Sequence, residues 1–434
     1  MRHVIIGTGV AGLAAVEGIR SVDHTSEIIM LGDDPHGYYS RPGLAYYLTG
    51  ELPEKTLFPQ KRVNFEKLNF KYKKSRVVGI RPAEKELMAD DNTNLSYDNL
   101  LIATGAQAAA LKVPGVNLKG VVKLDHLDDA NQLLSFAKRG RKAVVVGGGI
   151  TALELTEGLL SRGVEVHYLL RGGRYWGNVL DESESRIVEG RLQTEGVNLH
   201  FHSELVEITG RSGKVSGVRL LDGRTLKCDI LAFAIGIYPR SELAQQAGLA
   251  VDRGILVNEY LQTNDPDIFA AGDVAQAYDP LTGRSVLDSL WNPARDQGYI
   301  AGLNMTGKRT PYIKTPPFNV TRLAGLTTTI IGVVGQGHDE DVVGIARGDS
   351  ETWRQLPDAI VAQGGFDMNH VRLLVGEKTL IGAVIMGDQT LSAALQTIIA
   401  EKLDISAIHD KLLSRDAKIA DVIVDYWSKH LETA

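Results

Sequence analysis

Two glycine loops and the acids that follow them carry the chemistry that can be read in this chain. Near the start, Gly7-Thr8-Gly9-Val10-Ala11-Gly12 fits G-x-G-x-x-G, and Asp33 lies 21 residues past Gly12 with Asp34 beside it. In mid-chain, Gly147-Gly148-Gly149-Ile150-Thr151-Ala152 fits G-x-G-x-x-A. In such a loop the first glycine permits a tight turn, and the second lets a pyrophosphate come close to the backbone. The third lets the following helix pack on its strand. That helix then presents its partial positive charge to the phosphates. Asp33 is placed to accept hydrogen bonds from ribose hydroxyls, with Asp34 as a substitute.

The loops mean something only if strands and helices position them. His3 to Ile6 is predicted as a short buried strand, followed by a helix to about Arg20 and a strand from Glu27 to Leu31. The second loop repeats the design: strand Lys142 to Val146, helix to about Ser161, strand Val164 to Leu170. A glycine-rich turn in an unrelated α/β protein is the plainer alternative for one loop. Two loops imply two dinucleotides held in one chain: a resident FAD and a mobile nicotinamide nucleotide.

At 434 residues, and roughly 150 per domain, the chain has room for about three compact units. It is 44% apolar and 23% charged, with a net charge of −6, which gives no clustered basic face for nucleic acid. Cys228 is the only cysteine, so an internal disulfide and any multi-cysteine zinc or iron–sulfur site are excluded. No apolar run reaches ~18 residues, and the first strand begins at once. A cytoplasmic protein with no integral membrane segment is expected.

On these motifs the chain resembles the pyridine nucleotide–disulfide oxidoreductase superfamily of flavoproteins. Three further strings match: Leu100-Leu101-Ile102-Ala103-Thr104-Gly105, Leu231 to Gly236, and Ile268-Phe269-Ala270-Ala271-Gly272-Asp273. The resemblance implies an α/β fold with two Rossmann-like domains and an α+β C-terminal interface domain. The FAD domain would comprise residues 1–115 and 238–312, and the NAD(P) domain 116–237. Residues 313–434 would form the interface domain, a possible site of homodimerisation. It further implies that Asp273 binds the FAD ribityl chain and that Glu154 lies near the nicotinamide carboxamide. A solvated helix glutamate is the plainer reading of Glu154.

The family's redox cysteines are missing. In Tyr38-Tyr39-Ser40-Arg41-Pro42-Gly43, Pro42 stands where a single cysteine would be, and Cys228 reads as a small core residue. The segment from Gly32 to Pro42, with Arg41 and Pro42 as cofactor-contact candidates, is similar to the branch that reduces rubredoxin, ferredoxin or a sirohaem nitrite reductase. Tyr46 stands where many ferredoxin reductases have a lysine. The implied activity is transfer of electrons from NAD(P)H through FAD to an external protein or small-molecule acceptor. A peripheral NADH:quinone reductase and a non-enzymatic flavin sensor are the other readings.

Hydride transfer needs positioning more than acid–base chemistry. Trp291, at the head of a helix that matches the family, could shield or gate the flavin ring; a core tryptophan is the equal alternative. After Leu170 the chain has Arg171 and Arg174 rather than a carboxylate, a weak lean to NADPH through forked hydrogen bonds to a 2′-phosphate. His200-x-His202 would share a strand face, but lacking a second ligand pair it is read as exposed strand, and no metal is assigned. The last helix, about Asp416 to His430, places Ile419, Val422, Ile423, Tyr426 and Trp427 on one stripe. Residues 401–434 carry five Lys/Arg and seven Asp/Glu, so core packing is favoured over a lipid surface.

Overall fold

A computed structural model describes residues 1–58, 67–279, 283–334, 360–366, 369–414 and 418–433. The elements that matter for function are, in chain order, β1 (Arg2–Ile6), α1 (Val10–Arg20), β2 (Glu27–Gly32), β3 (Lys71–Lys74) and β4 (Asn99–Ile102). They continue with β5 (Val121–Lys123), β6 (Lys142–Val146), α2 (Ile150–Leu160), β7 (Glu165–Leu169), α3 (Glu182–Thr194) and β8 (Asn198–His200). Then come β9 (Ile230–Phe233), β10 (Ile268–Ala270), α4 (Trp291–Met305), β11 (Phe318–Leu323) and β12 (Leu326–Gly332). The last are β13 (Ile360–Phe366), β14 (Asn369–Val375), β15 (Leu380–Met386), α5 (Ser392–Ala400) and α6 (Ile419–Thr433).

Packing divides the chain into two compact units. The first holds Met1–Ala109, Leu124–Asn131 and Gly236–Lys314. The second holds Ala110–Lys123, Gln132–Ile235 and Thr315–Ala434. Residues 124–131 therefore pack with the first unit, although they fall within the 116–237 segment. Those after 314 pack in the second unit.

The first unit is built on a parallel sheet of order β10-β4-β1-β2-β3. The second has a parallel sheet of order β8-β7-β6-β9-β5. In each, the strand that feeds a glycine loop occupies the centre. Parallel strands need both faces covered, which explains the near-continuous apolar runs of β1 and β6. Placing the loop at the carboxyl end of a central strand puts it at the crevice where doubly wound sheets bind ligands.

The C-terminal part is an antiparallel sheet of order β11-β12-β15-β14-β13, in which β14 and β15 form a hairpin. Its own core includes Leu373, Ala383, Ile385, Leu395, Ile398 and Ile423. The α6 stripe packs on this core: Ile419 and Ile423 are buried, with Val422, Tyr426 and Trp427 partly so. No described helix is long and apolar enough to cross a membrane.

Candidate functional site

In the first loop the glycines divide by what a Cβ would strike. At Gly7, with φ +117, a Cβ would lie 2.1 Å from the Ala103 carbonyl oxygen, and at Gly12 it would lie 2.1 Å from the Gly7 carbonyl. Both glycines serve the chain's own packing. Gly9 is different: it is exposed, its backbone is extended (φ −73, ψ −176), and no atom lies within 4 Å of its Cβ position. Nothing in the protein requires glycine there, and the space above it is open. Gly9 caps α1 without any side-chain hydrogen bond to the first turn, where Val10 and Ala11 stand. The first-turn amides of a helix have no partner within the helix itself.

Neighbouring strands bring the other first-unit candidates to this end of the sheet. The Ala103 amide donates to Ile6, Thr104 Oγ1 donates to the Arg240 carbonyl at 2.9 Å, and the Arg240 amide donates to Gly105. Gly236 (φ +143) starts the return into this unit and accepts from the Ala109 amide. Gly272 (φ +79), against Ala11, donates its amide to Gln297 Oε1 at 2.9 Å and delivers Asp273, half-buried, beside the loop.

The paired acids separate. Asp33 is exposed at the end of β2, open to a ribose. Asp34 is bound into its own loop: it accepts from the His36 amide at 2.9 Å, with the His126 imidazole at 3.7 Å and Arg41 at 3.9 Å. Burial works to raise its pKa, yet His126, the His36 amide and the Arg41 guanidinium hold it below the ordinary range. Arg41 thus spends part of its charge on Asp34 and on His126 Nδ1 at 3.4 Å. The other face of His126 meets Arg240 at 3.2 Å and Asp125 at 3.4 Å. Tyr39 Oη accepts the Leu127 amide, and Tyr47 donates to Asn131. These contacts strap residues 124–131 onto the 39–47 segment, and sequence reading missed them. Pro42 is exposed in a 3-10 turn, Arg41–Gly43. Trp291 is 41% exposed at the first position of α4, which removes the core reading of that ring.

In the second loop Gly147 again serves the chain's own packing, while Gly148 stands where the first loop has Thr8. A Cβ on Gly147 (φ +147) would lie 2.2 Å from the Ala234 carbonyl, whereas one on Gly148 would meet nothing within 4 Å. Gly149 caps α2 in extended backbone, again without a side-chain cap. Ile150 and Ala152 are buried beneath, and Thr151 is half-buried. Glu154 is half-buried one turn into α2.

Glu157 follows on the same helix face, and burial pushes its carboxyl up to about 7 from an ordinary 4.5. The Arg322 guanidinium and the Gly325 amide, 3.2 Å away, oppose this; Glu154 and Glu195 add to it. A raised carboxyl pKa means the folded chain binds the proton more tightly than the unfolded one. The resulting stability is fully present below about 4.5 and is lost as pH rises through about 7. Glu157→Gln should therefore melt closer to wild type at pH 5 than at pH 8, where the variant should be the more stable. Thermal melts at both values check this; equal differences at the two would refute it.

The two arginines past β7 also separate. Arg174 folds back on its own turn, donating to the Gly177 carbonyl at 2.8 Å, and its Nε is buried. A Cβ on Gly177 would strike that guanidinium at 2.9 Å. It staples the turn from its place after β7. Arg171 is exposed. The His200-x-His202 pair does not share a strand face, because β8 ends at His200 and His202 turns away with φ +50. His200 instead meets His167 of β7, ring nitrogens 3.0 Å apart.

Among the described residues, one acid–histidine group has ligand-like spacing: Asp181, Glu184 and His370. Arg372 already fills it, its Nε and Nη2 donating to both Glu184 oxygens at 2.8 and 2.9 Å. A guanidinium in that position repels a cation, so the group is read as a buried ion pair. Cys228 is 4% exposed in the second unit's core, and burial pushes its thiol up to about 12. That holds it as an unreactive thiol.

Comparison with known proteins matches this arrangement. The pyridine nucleotide-disulphide oxidoreductase family model covers residues 1–298. A rubredoxin-NAD(+) reductase of Pseudomonas putida is 31% identical over 80% of this chain and 90% of its own. A nitrite reductase [NAD(P)H] of Bacillus subtilis (strain 168) is 28% identical over 93% of this chain. The chain spans about half the length of that protein, 48%, and of the assimilatory nitrate reductase electron transfer subunit of the same organism, 51%. In fold, the chain is similar to putidaredoxin reductase in its covalent complex with putidaredoxin. The TM-score is 0.85 at 23% identity, over 98% of both chains. With two parallel sheets, a glycine loop on the central strand of each, and a family model matching residues 1–298, the chain belongs to the pyridine nucleotide-disulphide oxidoreductase family.

Proposed function

We propose that the protein is an FAD-dependent NAD(P)H oxidoreductase that passes electrons to an acceptor outside its own chain. The observation that carries this reading is the pair of glycine loops, each after the central strand of a parallel sheet, with no protein atom within 4 Å of a Cβ at Gly9. When bound, FAD supplies a two-electron hydride acceptor that can release electrons onward. The chain's part is to bind and orient. Gly9, Val10, Ala11 and Gly12 take the FAD pyrophosphate, Asp33 a ribose, and Asp273 the ribityl chain. Ala103, Thr104, Gly105, Gly236 and Gly272 shape the surrounding backbone. Gly147, Gly149, Ile150, Thr151 and Ala152 take the nicotinamide nucleotide, and Glu154 accepts a hydrogen bond from its carboxamide. Trp291, exposed, shields the flavin ring.

An external acceptor follows from what the chain does not offer as a relay. Pro42 has no redox chemistry, and Cys228 is a buried thiol in the second unit. Relatives whose names include rubredoxin-NAD(+) reductase and ferredoxin reductase support a small electron-transfer protein as that acceptor. NADPH is the nucleotide favoured here, because Arg171 is exposed and no carboxylate ends β7.

Anaerobic stopped-flow mixing of the purified flavoprotein with NADPH, and separately with NADH, tests the reading. Rapid bleaching of the flavin band is expected with both, faster with NADPH. Absence of bleaching with both nucleotides, despite bound FAD, would sink the reductase assignment and favour a redox sensor.

A further inference from the structure

Three backbone hydrogen bonds tie the exit of β8 to the exit of β7. The Leu170 amide donates to the His200 carbonyl at 2.9 Å, the Ser203 amide to the Leu170 carbonyl at 3.0 Å, and the His202 amide to the Gly172 carbonyl at 3.1 Å. The ladder outlasts both strands and holds the segment after β8 beside the segment after β7. His202 takes a left-handed backbone, φ +50, which histidine tolerates better than most side chains. Its imidazole consequently lies over Gly173, with Cε1 and Nε2 each 3.1 Å from where a Cβ would stand. Any side chain at 173 would have to displace that ring. Gly172 leaves the adjacent backbone open, since its Cβ would approach only the Arg174 carbonyl, at 3.8 Å.

We infer that His202 and Arg171 together form the seat for the 2′-phosphate of the adenosine ribose, with His202 reading the phosphate from the neighbouring strand. The inference rests on the nucleotide site proposed for the second glycine loop, and it adds a residue that lies 31 positions beyond Arg171 in sequence. Five features support it. The ribose end of a dinucleotide falls at the carboxyl end of the strand after the glycine-loop helix, here β7. Leu170, the first residue past that strand, is buried, so no carboxylate waits there for a free 2′-hydroxyl. Arg174, the other nearby cation after β7, is held by Gly177. Arg224, which reaches Ser203 Oγ at 2.9 Å, is paired with Asp222 at 2.7 Å. Arg171 and His202 are both exposed beside the two glycines, and each offers an N–H donor of the kind that phosphate oxygens accept.

The test is calorimetric binding of adenosine 2′,5′-bisphosphate and of 5′-AMP to the full-length protein as purified. His202→Asn is the chosen variant, because asparagine keeps the left-handed backbone while withdrawing the imidazole. Wild type should prefer the bisphosphate, and His202→Asn and Arg171→Ala should each weaken its binding by on the order of tenfold. Binding of 5′-AMP should change less than twofold in both variants. A bisphosphate affinity unchanged in His202→Asn would overturn the assignment. So would an equal loss for the two ligands, or a wild type that does not distinguish them. Because this readout is binding alone, it is independent of turnover. A protein that bleaches with neither nucleotide yet shows the expected pattern would refute the reductase reading and keep the phosphate seat.

Discussion

Gly9→Val is expected to yield a folded protein that purifies without flavin. The substitution meets no protein atom, since nothing lies within 4 Å of the Cβ position, and φ −73 with ψ −176 is extended backbone that valine adopts freely. The intrinsic cost is that of exchanging a glycine N-cap for an aliphatic one, about 1 kcal/mol. The isopropyl group would instead occupy the space above the α1 amides, where a pyrophosphate must come close to the backbone. The visible-to-ultraviolet absorbance ratio should therefore fall to near zero, and reduction by NADPH should fall with it. Its melting temperature is properly compared with that of deflavinated wild type, because losing a tight ligand alone lowers apparent stability. Gly7→Ala gives the contrast. At φ +117 and 2.1 Å from the Ala103 carbonyl, it should damage the first unit with or without flavin. A Gly9→Val protein that purified fully yellow would refute the assignment of this loop to FAD.

That contrast also shows what the sequence made legible. The G-x-G-x-x-G spacing predicts three glycines with three roles, and the structure gives Gly7 and Gly12 packing roles while leaving Gly9 open. Strands β1 and β6 were readable because buried parallel strands are apolar throughout. The α6 stripe was readable because its 3.6-residue period meets one core. What failed was local geometry decided by tertiary context. Arg171 and Arg174 look equivalent in sequence, but Gly177 lets one of them fold back. His200 and His202 look like a strand pair, but the strand stops between them. The 124–131 strap rests on His126 meeting Arg41 and Arg240, 85 and 114 residues away. No periodicity encodes a pairing at that separation.

The same blindness hid a buried, forked ion pair in the second unit, Arg372–Glu184, 188 residues apart in sequence. Glu184 stands at the third position of α3. There it completes a capping box: the Asp181 carboxylate accepts the Glu184 amide at 2.8 Å, and Glu184 Oε2 accepts the Asp181 amide at 2.9 Å. Its oxygens also receive the Arg372 fork, whose remaining donors satisfy the Val334 and Val179 carbonyls at 2.7 and 3.1 Å. The two side chains are 3% and 0% exposed. One guanidinium thus joins β14 of the C-terminal sheet to the head of α3 beside the nucleotide-type sheet.

Arg372→Ala would leave a buried carboxylate without its cation and two carbonyls without donors. It should destabilise the second unit by ~3–5 kcal/mol, the range for breaking a buried pair from one side. Arg372→Met with Glu184→Gln should recover part of that loss, because the glutamine removes the buried charge and can still accept the Asp181 amide. The carbonyls would remain unsatisfied, so recovery should be incomplete. Urea unfolding followed by tryptophan fluorescence and by flavin release would separate the units. The fluorescence transition should move to lower urea while flavin release stays near its wild-type midpoint, since the FAD loop belongs to the first unit. A single mutant as stable as wild type would mean the pair contributes no net stability. A double mutant no better than the single would mean the cost lies in the stranded carbonyls rather than in the stranded charge.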